Sequence, residues 1–242
     1  MSLLAALATD DTIENEKDSA GSMLFDSDCY PMTVSTAFIQ KSDGGALGLN
    51  VTFKAEDGRQ LKQVFWMTSG TAKGCKNYYE KDGEKKYLPG FLQANALALL
   101  TVGKEIASLD TETKVVKQWN RDAKAEIPTK VDMVMDLLEQ PIIVGVLKQT
   151  VDKTEKSNDG SYVPTGETRD ENEVDKLFRA KDKKTTAEIR GEVEEAGFID
   201  KWLSKWKGQV KNKAKGAQGT SGVPKTKSAA ATAKKPSASL FG

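Results

Sequence analysis

Alternating apolar and polar side chains predict three β-strands early in the chain. In "ALGLNVTFKA", Leu47, Leu49, Val51 and Phe53 fall on one face of a strand. "YPMTVSTAFIQ" precedes this run and alternates until Phe38 breaks the phase, and "QLKQVFWMT" follows it. The intervening "SDGG" and "AEDGR" are typical of hairpin turns.

The next segments predict a small hairpin and a helix. "KNYYEKDGEKKYL" contains the turn Asp82-Gly83 between two short extended runs. "GFLQANALALLTVGKEIASL", residues 90–109, has the spacing of a core-facing helix. The apolar stripe of that helix is predicted to contain Phe91, Leu92, Ala96, Leu99 and Leu100.

The second half of the chain returns to short runs. "TKVVKQW" and "KVDMVMDLL" precede "PIIVGVLKQTV", whose continuous β-branched composition predicts a buried strand. Residues 152–172 are polar and rich in turn residues, which favours a long loop or a hairpin, and "EVDKLFRA" predicts one more strand. Residues 185–210 are helical in pattern, with a break at 197–198 and with Trp202 and Trp206 on one face.

The order of these elements predicts a mainly β fold. An OB-type antiparallel barrel with an inserted helix, a C-terminal helical segment and a disordered basic tail fits it, and a β-sandwich is the alternative. We divide the chain into a flexible N-terminus (1–20), an OB-type domain (21–207) and a disordered Lys/Ala/Ser-rich tail (208–242) that ends in an apolar tip.

The charge of the chain is divided between these regions. The net charge is +1, but residues 201–242 contain ten lysines and no acid. The other 26 basic residues and all 35 acids lie in residues 1–200, which gives that part a net charge of −9. Such a body binds nucleic acid only if its cations are gathered locally.

Composition argues against several kinds of site. The chain has no histidine, which removes Ser-His-Asp, Cys-His and histidine-metal arrangements. Its two cysteines, Cys29 and Cys75, cannot make a zinc site, and we expect reduced thiols. No phosphate-binding glycine motif, membrane span or signal peptide is evident. We therefore expect no catalysis, metal or cofactor.

Aromatic residues interleaved with lysines are the first candidate binding site. Aromatic rings stack on exposed bases and lysines neutralise phosphates. The alternative is an amphipathic hairpin whose tyrosines pack inward. The candidates in and beside the hairpin are Lys73, Lys76, Tyr78, Tyr79, Lys81, Lys85, Lys86 and Tyr87.

Two further candidates contain tryptophan. Trp66 shares the polar face of the third strand with Lys62, and Arg59 lies just before that strand. Trp66 is there either a stacking platform or an ordinary core residue. Trp119 lies in "KVVKQWNR", where a solvated strand edge is the alternative to a binding site.

These segments together resemble the single-stranded DNA-binding proteins of tailed bacteriophages. The resemblance covers about residues 20 to 105: an early "GSMLF", the pair "VTFKAEDGRQLKQVFWMTS", and "NYYEKDGEKKYLPGF" running into a helix. It implies an OB-fold that coats single-stranded DNA in replication, recombination or repair in the host bacterial cytoplasm, with little sequence preference.

The resemblance also assigns roles to residues. It implies stacking by Trp66 and the three hairpin tyrosines, and phosphate contacts by Arg59, Lys62 and the lysines from Lys76 to Lys86. It implies that Leu240 and Phe241 at the tip of the tail recruit replication or recombination proteins. The basic tail departs from the family, in which the tail before the tip is commonly acidic.

Two other functions remain open. A virus structural or assembly protein also combines a β-rich body with a basic flexible arm. A carboxylate-metal nuclease would need Asp132, Asp136 and Glu139 on one helical face, which requires residues 131–139 to be helical.

Overall fold

The sheet is built on its first strand. The computed structural model describes residues 24–120, 123–157 and 162–215. In it β1 (Asp28–Lys41) pairs antiparallel with β2 (Leu47–Ala55), and β2 pairs antiparallel with β3 (Gln60–Trp66). The three strands predicted from alternation are confirmed. Leu47, predicted on the buried face of β2, is 37% exposed because it begins the strand.

The other edge of β1 binds the strands from the C-terminal half of the chain. Residues 28–33 pair with β8 (Pro141–Lys156), which pairs antiparallel with β9 (Tyr162–Arg179). Residues 152–156 and 162–172 therefore lie on two paired strands. β8 also pairs in parallel with β10 (Val210–Asn212), so the prediction that disorder begins at 208 is wrong for these residues. Residues 216–242 lie outside the described residues.

The break in alternation at Phe38 has a structural cause. A register shift between Val34 and Thr36 puts a bulge in β1. After it, Phe38 pairs with Met133 of β7 (Ala125–Met133), which forms a hairpin with β6 (Glu112–Asn120). Phe38 is buried against Val131 and Met133 in a small cluster of its own. The end of the β6–β7 hairpin therefore buries a residue that simple alternation would expose.

The fold is mainly β and antiparallel, but it is not a closed barrel. β3 and β9 have no main-chain ladder between them in the described strands. One side-chain hydrogen bond spans this seam, since Val174 N–H donates to Gln63 Oε1 at 3.4 Å. β4 (Tyr78–Lys81) and β5 (Glu84–Tyr87) form a separate two-stranded sheet, as the turn Asp82-Gly83 predicts.

Helix α1 (Pro89–Thr101) packs on the main core beside this seam. Pro89 occupies its first turn, and Gly103, with φ of 77°, follows its end. The predicted helix is therefore too long, and only a 3-10 turn follows at 106–108. The predicted apolar stripe is also wrong, because Leu92 is 50% exposed. The buried residues of the helix are Ala94, Asn95, Leu97, Ala98 and Leu100.

Two short helices follow β9, and the second of them packs on the sheet to form a second core. These are α2 (Thr186–Arg190) and α3 (Phe198–Trp206), so the break in the helical segment is longer than predicted. Trp202 is buried and Trp206 packs beside it, against Ile143, Phe178 and Ile199. The Trp202 indole N–H donates to Asp175 at 2.7 Å, which ties α3 to β9.

Glu188 joins α2 to α3. Its carboxylate accepts the backbone N–H groups of Thr185, Gly197 and Phe198 at 2.8–2.9 Å, and Thr185 caps α2 in return. Burial disfavours the charged form of Glu188, but these hydrogen bonds outweigh it and hold the pKa of Glu188 below its ordinary value.

We predict that Glu188→Gln lowers the free energy of unfolding by about 1–2 kcal/mol at neutral pH, because charge-assisted hydrogen bonds are lost. A lowered native pKa stabilises the fold above the unfolded pKa of about 4.3 and loses this effect as pH falls through the native pKa. The difference between wild type and variant should therefore shrink on acidification, measured by urea unfolding. Glu194→Gln, at an exposed carboxylate, is the control.

Candidate nucleic-acid interface

Trp66 lies on the outer face of the sheet. It ends β3 opposite Gly48 of β2 and is 39% exposed. A Cβ atom built on Gly48 would lie 2.9 Å from the Trp66 ring, so the indole covers the glycine. Trp66 is therefore a partly exposed ring on the outer face of the sheet, and the core alternative is wrong.

Polar side chains continue this face across the neighbouring strands. Gly48 pairs in turn with Gln40 of β1, and Asn50 donates a hydrogen bond to Gln40 Oε1 at 2.8 Å. Lys62 lies on the same face of β3 as Trp66, four residues away, which is about 13 Å along a strand. The outer face thus combines an aromatic ring, two amides and a cation.

The loop after Trp66 is held rigidly at the same end of the sheet. Ser69 and Lys76 close it with two hydrogen bonds, from Ser69 N–H to the Lys76 carbonyl at 2.8 Å and from Lys76 N–H to Ser69 Oγ at 3.0 Å. Thr71 N–H binds the Gly44 carbonyl in the β1–β2 turn at 2.8 Å. Lys73 and Lys76 are therefore carried by a loop of fixed shape.

The β4–β5 hairpin divides its tyrosines between two faces. Tyr78 pairs with Tyr87, whereas Tyr79 pairs with Lys86 on the opposite face. Tyr78 is partly buried, with the ammonium groups of Lys76 and Lys85 at 5.5 and 5.1 Å from its ring centre. Tyr79 and Tyr87 are 42% and 55% exposed. Of the three tyrosines only Tyr78 is partly buried, so the alternative that the hairpin tyrosines pack inward applies to this residue alone.

A continuous surface joins Trp66 to this hairpin. A groove of about 840 Å³ follows β3 past Trp66 to Lys73 and Leu88. A smaller depression of about 340 Å³ shares Ser69, Lys73 and Leu88 with it. We call the combined surface the aromatic groove; its aromatic and cationic members are Trp66, Lys73, Lys76, Tyr78 and Tyr79.

The opposite wall of the aromatic groove carries two carboxylates, and each of them already has a partner. Glu173 and Asp175 of β9 line it. Lys213 forms an ion pair with Glu173 at 2.6 Å, and the Trp202 indole donates to Asp175. A polyanion in the groove would therefore lie nearer to the wall that carries Lys73 and Lys76.

Arg59 is placed away from the aromatic groove. It precedes β3, whereas Trp66 ends it. Its guanidinium pairs with Asp57 at 2.7 Å and lies 4.0 Å from the Phe25 ring centre. The hydrogen bond from Arg59 also lowers the pKa of Asp57. These contacts give Arg59 a structural role, which its assignment as a phosphate contact did not foresee.

The remaining hairpin cations, Lys81, Lys85 and Lys86, are exposed. Lys86 pairs with Glu84 at 3.1 Å, and Lys81 lies opposite Glu84 in the β4–β5 register. Exposed ion pairs of this kind contribute little free energy, so these lysines stay accessible to a second anion.

Trp119 lies on a different hairpin. It is 65% exposed near the end of β6, and Val115 on the same face is 63% exposed. The register puts Trp119 opposite Glu126, seven residues from Met133, and therefore on the sheet face opposite that of Phe38. The structure does not bring Trp119 into the aromatic groove. Leu240 and Phe241 lie outside the described residues.

Two glycines that determine the position of Trp66 were missed by sequence reasoning. Gly48 lies under the ring, and a Cβ atom on Gly90 would be 2.2 Å from the Trp66 carbonyl oxygen. Their signal was present, since a glycine inside an apolar strand and one in the first turn of a helix both indicate close approach.

The carboxylates proposed for a metal site are not on a helix. Asp132 lies in β7, Asp136 lies in a 3-10 turn, and Glu139 follows it with φ of 57°. The helical premise is wrong, and the described residues contain no cluster of acidic or cysteine side chains able to hold a metal. Cys29 and Cys75 are free thiols, and burial raises the pKa of Cys29 to about 12.

No family model matches the chain, and no curated protein or solved structure is significantly similar to it. The resemblance to phage single-stranded DNA-binding proteins therefore stays a prediction. In the part of the chain that the structure describes, no helix has the length and apolarity needed to cross a membrane.

We predict that Gly48→Ala displaces the Trp66 ring, because the added methyl group would lie 2.9 Å from it. The indole N–H resonance of Trp66, identified by its absence in Trp66→Phe, should shift in a two-dimensional NMR spectrum. Gly44→Ala is the matched control, since its Cβ atom would meet only Ser42 Oγ at 3.9 Å. An unmoved resonance in Gly48→Ala would contradict this placement.

Proposed function

We propose that this chain binds and protects single-stranded DNA without strong sequence preference, by aromatic stacking and lysine–phosphate contacts. The single observation that carries the proposal is the aromatic groove, in which an exposed indole continues into two tyrosines and two lysines. Unpaired bases have free faces for such rings, whereas bases inside a duplex do not.

The strand arrangement supports an OB-type reading of this surface. β1, β2 and β3 form a meander, and β8 and β9 return beside β1 so that β9 faces β3 across the open seam. OB-folds are partly open five-stranded barrels that bind oligonucleotides on the face of strands 2 and 3 and on the adjoining loops. Trp66 lies on that face, and the β1–β2 turn is bonded to the loop of Lys73.

The phage setting follows from the resemblance of residues 20 to 105. We propose that the protein acts in phage DNA replication, recombination or repair in the host cytoplasm, without catalysis. Docking of replication or recombination proteins by Leu240 and Phe241 belongs to the same proposal.

Self-assembly into a virus structure is the second candidate function. It is favoured by the β6–β7 hairpin, where Val115 and Trp119 are exposed on one face without a described partner surface. Exposed apolar pairs of this kind are typical of protein interfaces. Large assemblies in DNA-free solution, detected by light scattering, would favour this candidate.

We predict that Trp66→Ala weakens binding to oligo-dT by about 1–3 kcal/mol, because one stacked base loses its platform. Fluorescence anisotropy of a labelled oligonucleotide measures the change. Tyr162→Ala, which removes an aromatic ring 59% exposed on the β8–β9 hairpin, should leave the affinity unchanged. Equal wild-type affinity for single strands and duplexes would argue against stacking.

We predict that Lys73→Ala and Lys76→Ala each reduce the salt dependence of binding. A lysine that neutralises one phosphate contributes about 0.7 to the slope of log affinity against log salt for single strands. Titrations at several salt concentrations should show this loss in each variant and no change in Lys201→Ala on α3. If both groove variants kept the wild-type slope of log affinity against log salt, neither lysine would contact a phosphate.

A further inference from the structure

A second groove lies between α1, β9 and the two short helices. Its volume is about 360 Å³, and it shares Pro89 and Gln93 with the aromatic groove. Leu92 and Phe198, which line it, are 50% and 38% exposed. We call it the α1–α2 groove; the lining residues that matter here are Leu92, Ala96, Leu99, Lys176, Arg190 and Phe198.

The charged lining of the α1–α2 groove is entirely cationic. Lys176 and Arg190 form no ion pair with a described residue, and the Lys176 ammonium lies 5.7 Å from the Phe198 ring centre. The nearby carboxylate of Glu188 is directed to the N–H groups of Gly197 and Phe198. An apolar floor between two free cations fits a segment that has apolar side chains next to carboxylates.

The chain has one such segment outside the described residues. "SLLAALATDDTIENE", residues 2–16, begins with leucines at 3, 4 and 7 and continues with acids at 10, 11, 14 and 16. The other apolar terminus, Leu240-Phe241, follows Lys234 and Lys235, whose charge has the same sign as the groove. Charge complementarity therefore selects the N-terminal segment.

The described chain also begins close to the groove. Phe25 N–H donates to Asn172 Oδ1 at 2.8 Å, and Asn172 Nδ2 donates to the Phe25 carbonyl at 2.7 Å. Asn172 is four residues from Lys176 on β9, about 13 Å along the strand. The 17 peptide steps from Leu7 to Leu24 span up to about 55 Å. A tether of this length gives a high effective concentration at the groove.

We propose that residues 3–14 bind in the α1–α2 groove of their own chain. The leucines cover Leu92, Leu99 and Phe198, and the acids face Lys176 and Arg190. The contact does not depend on DNA binding, because Leu92, Leu99, Phe198, Lys176 and Arg190 are not among the residues proposed to contact DNA, although the two grooves share Pro89 and Gln93.

Hydrogen exchange of the full chain, read by mass spectrometry, tests this contact. Peptides from residues 1–20 should exchange more slowly in the wild type than the same residues in a free synthetic peptide. Lys176→Glu with Arg190→Glu turns two attractions into repulsions, and we expect about tenfold faster exchange there. Lys181→Glu with Lys201→Glu, at exposed lysines outside the groove, is the control with the same charge change.

A charge swap separates direct contact from a general charge effect. Asp10→Lys with Asp11→Lys, added to the groove double variant, should restore slow exchange. Unchanged exchange of β1 in every variant shows that the body is folded. Wild-type exchange in the groove double variant would overturn the proposal, as would a failed rescue. Protection that disappears on dilution would also overturn binding within one chain and indicate a neighbouring copy.

Discussion

Strand β1 is hydrogen-bonded along both edges, and the position of every other element depends on this pairing. Residues 28–33 pair with β8 and residues 32–41 pair with β2, while Phe38 and Ile39 also pair with β7. The bulge after Val34 lets one strand serve both partners. The same register aligns Gln40, Gly48 and Trp66 across three strands, so the placement of the exposed indole follows from how β1 is held.

Helix α1 takes its position from the end of β3. Only a glycine at position 90 lets the first turn of the helix approach the Trp66 backbone so closely. The helix then fills the space beside the open seam between β3 and β9, where a closed barrel would have a ladder. One side of its N-terminal half lines the aromatic groove and another side lines the α1–α2 groove. A single close contact thus positions both surfaces.

Local pattern was enough to predict the first three strands and the small hairpin, because period-two alternation directly reports the two faces of a strand. It also put Trp66 on the polar face of β3, but it left open whether the ring is exposed or part of the core. The stripe on α1 could not be predicted, since "LALLT" is apolar around most of the helix and its period carries little information. β10 was missed because its three residues, Val210 to Asn212, are held by parallel pairing with β8, a contact about 60 residues away. The contact of Arg59 with Phe25 could not be predicted for a similar reason, as the two residues are distant in sequence.

Net charge is a poor guide to what this molecule attracts. The body is acidic overall, yet lysines from the start of the basic region offset part of its charge, since Lys207 pairs with Asp28 and Lys213 with Glu173. The second pair lies on the acidic wall of the aromatic groove, so the C-terminal segment lowers the negative potential at that surface. Because screening confines such effects to about 10 Å, the local balance at Lys73, Lys76 and Glu173 decides whether a phosphate chain is accepted there.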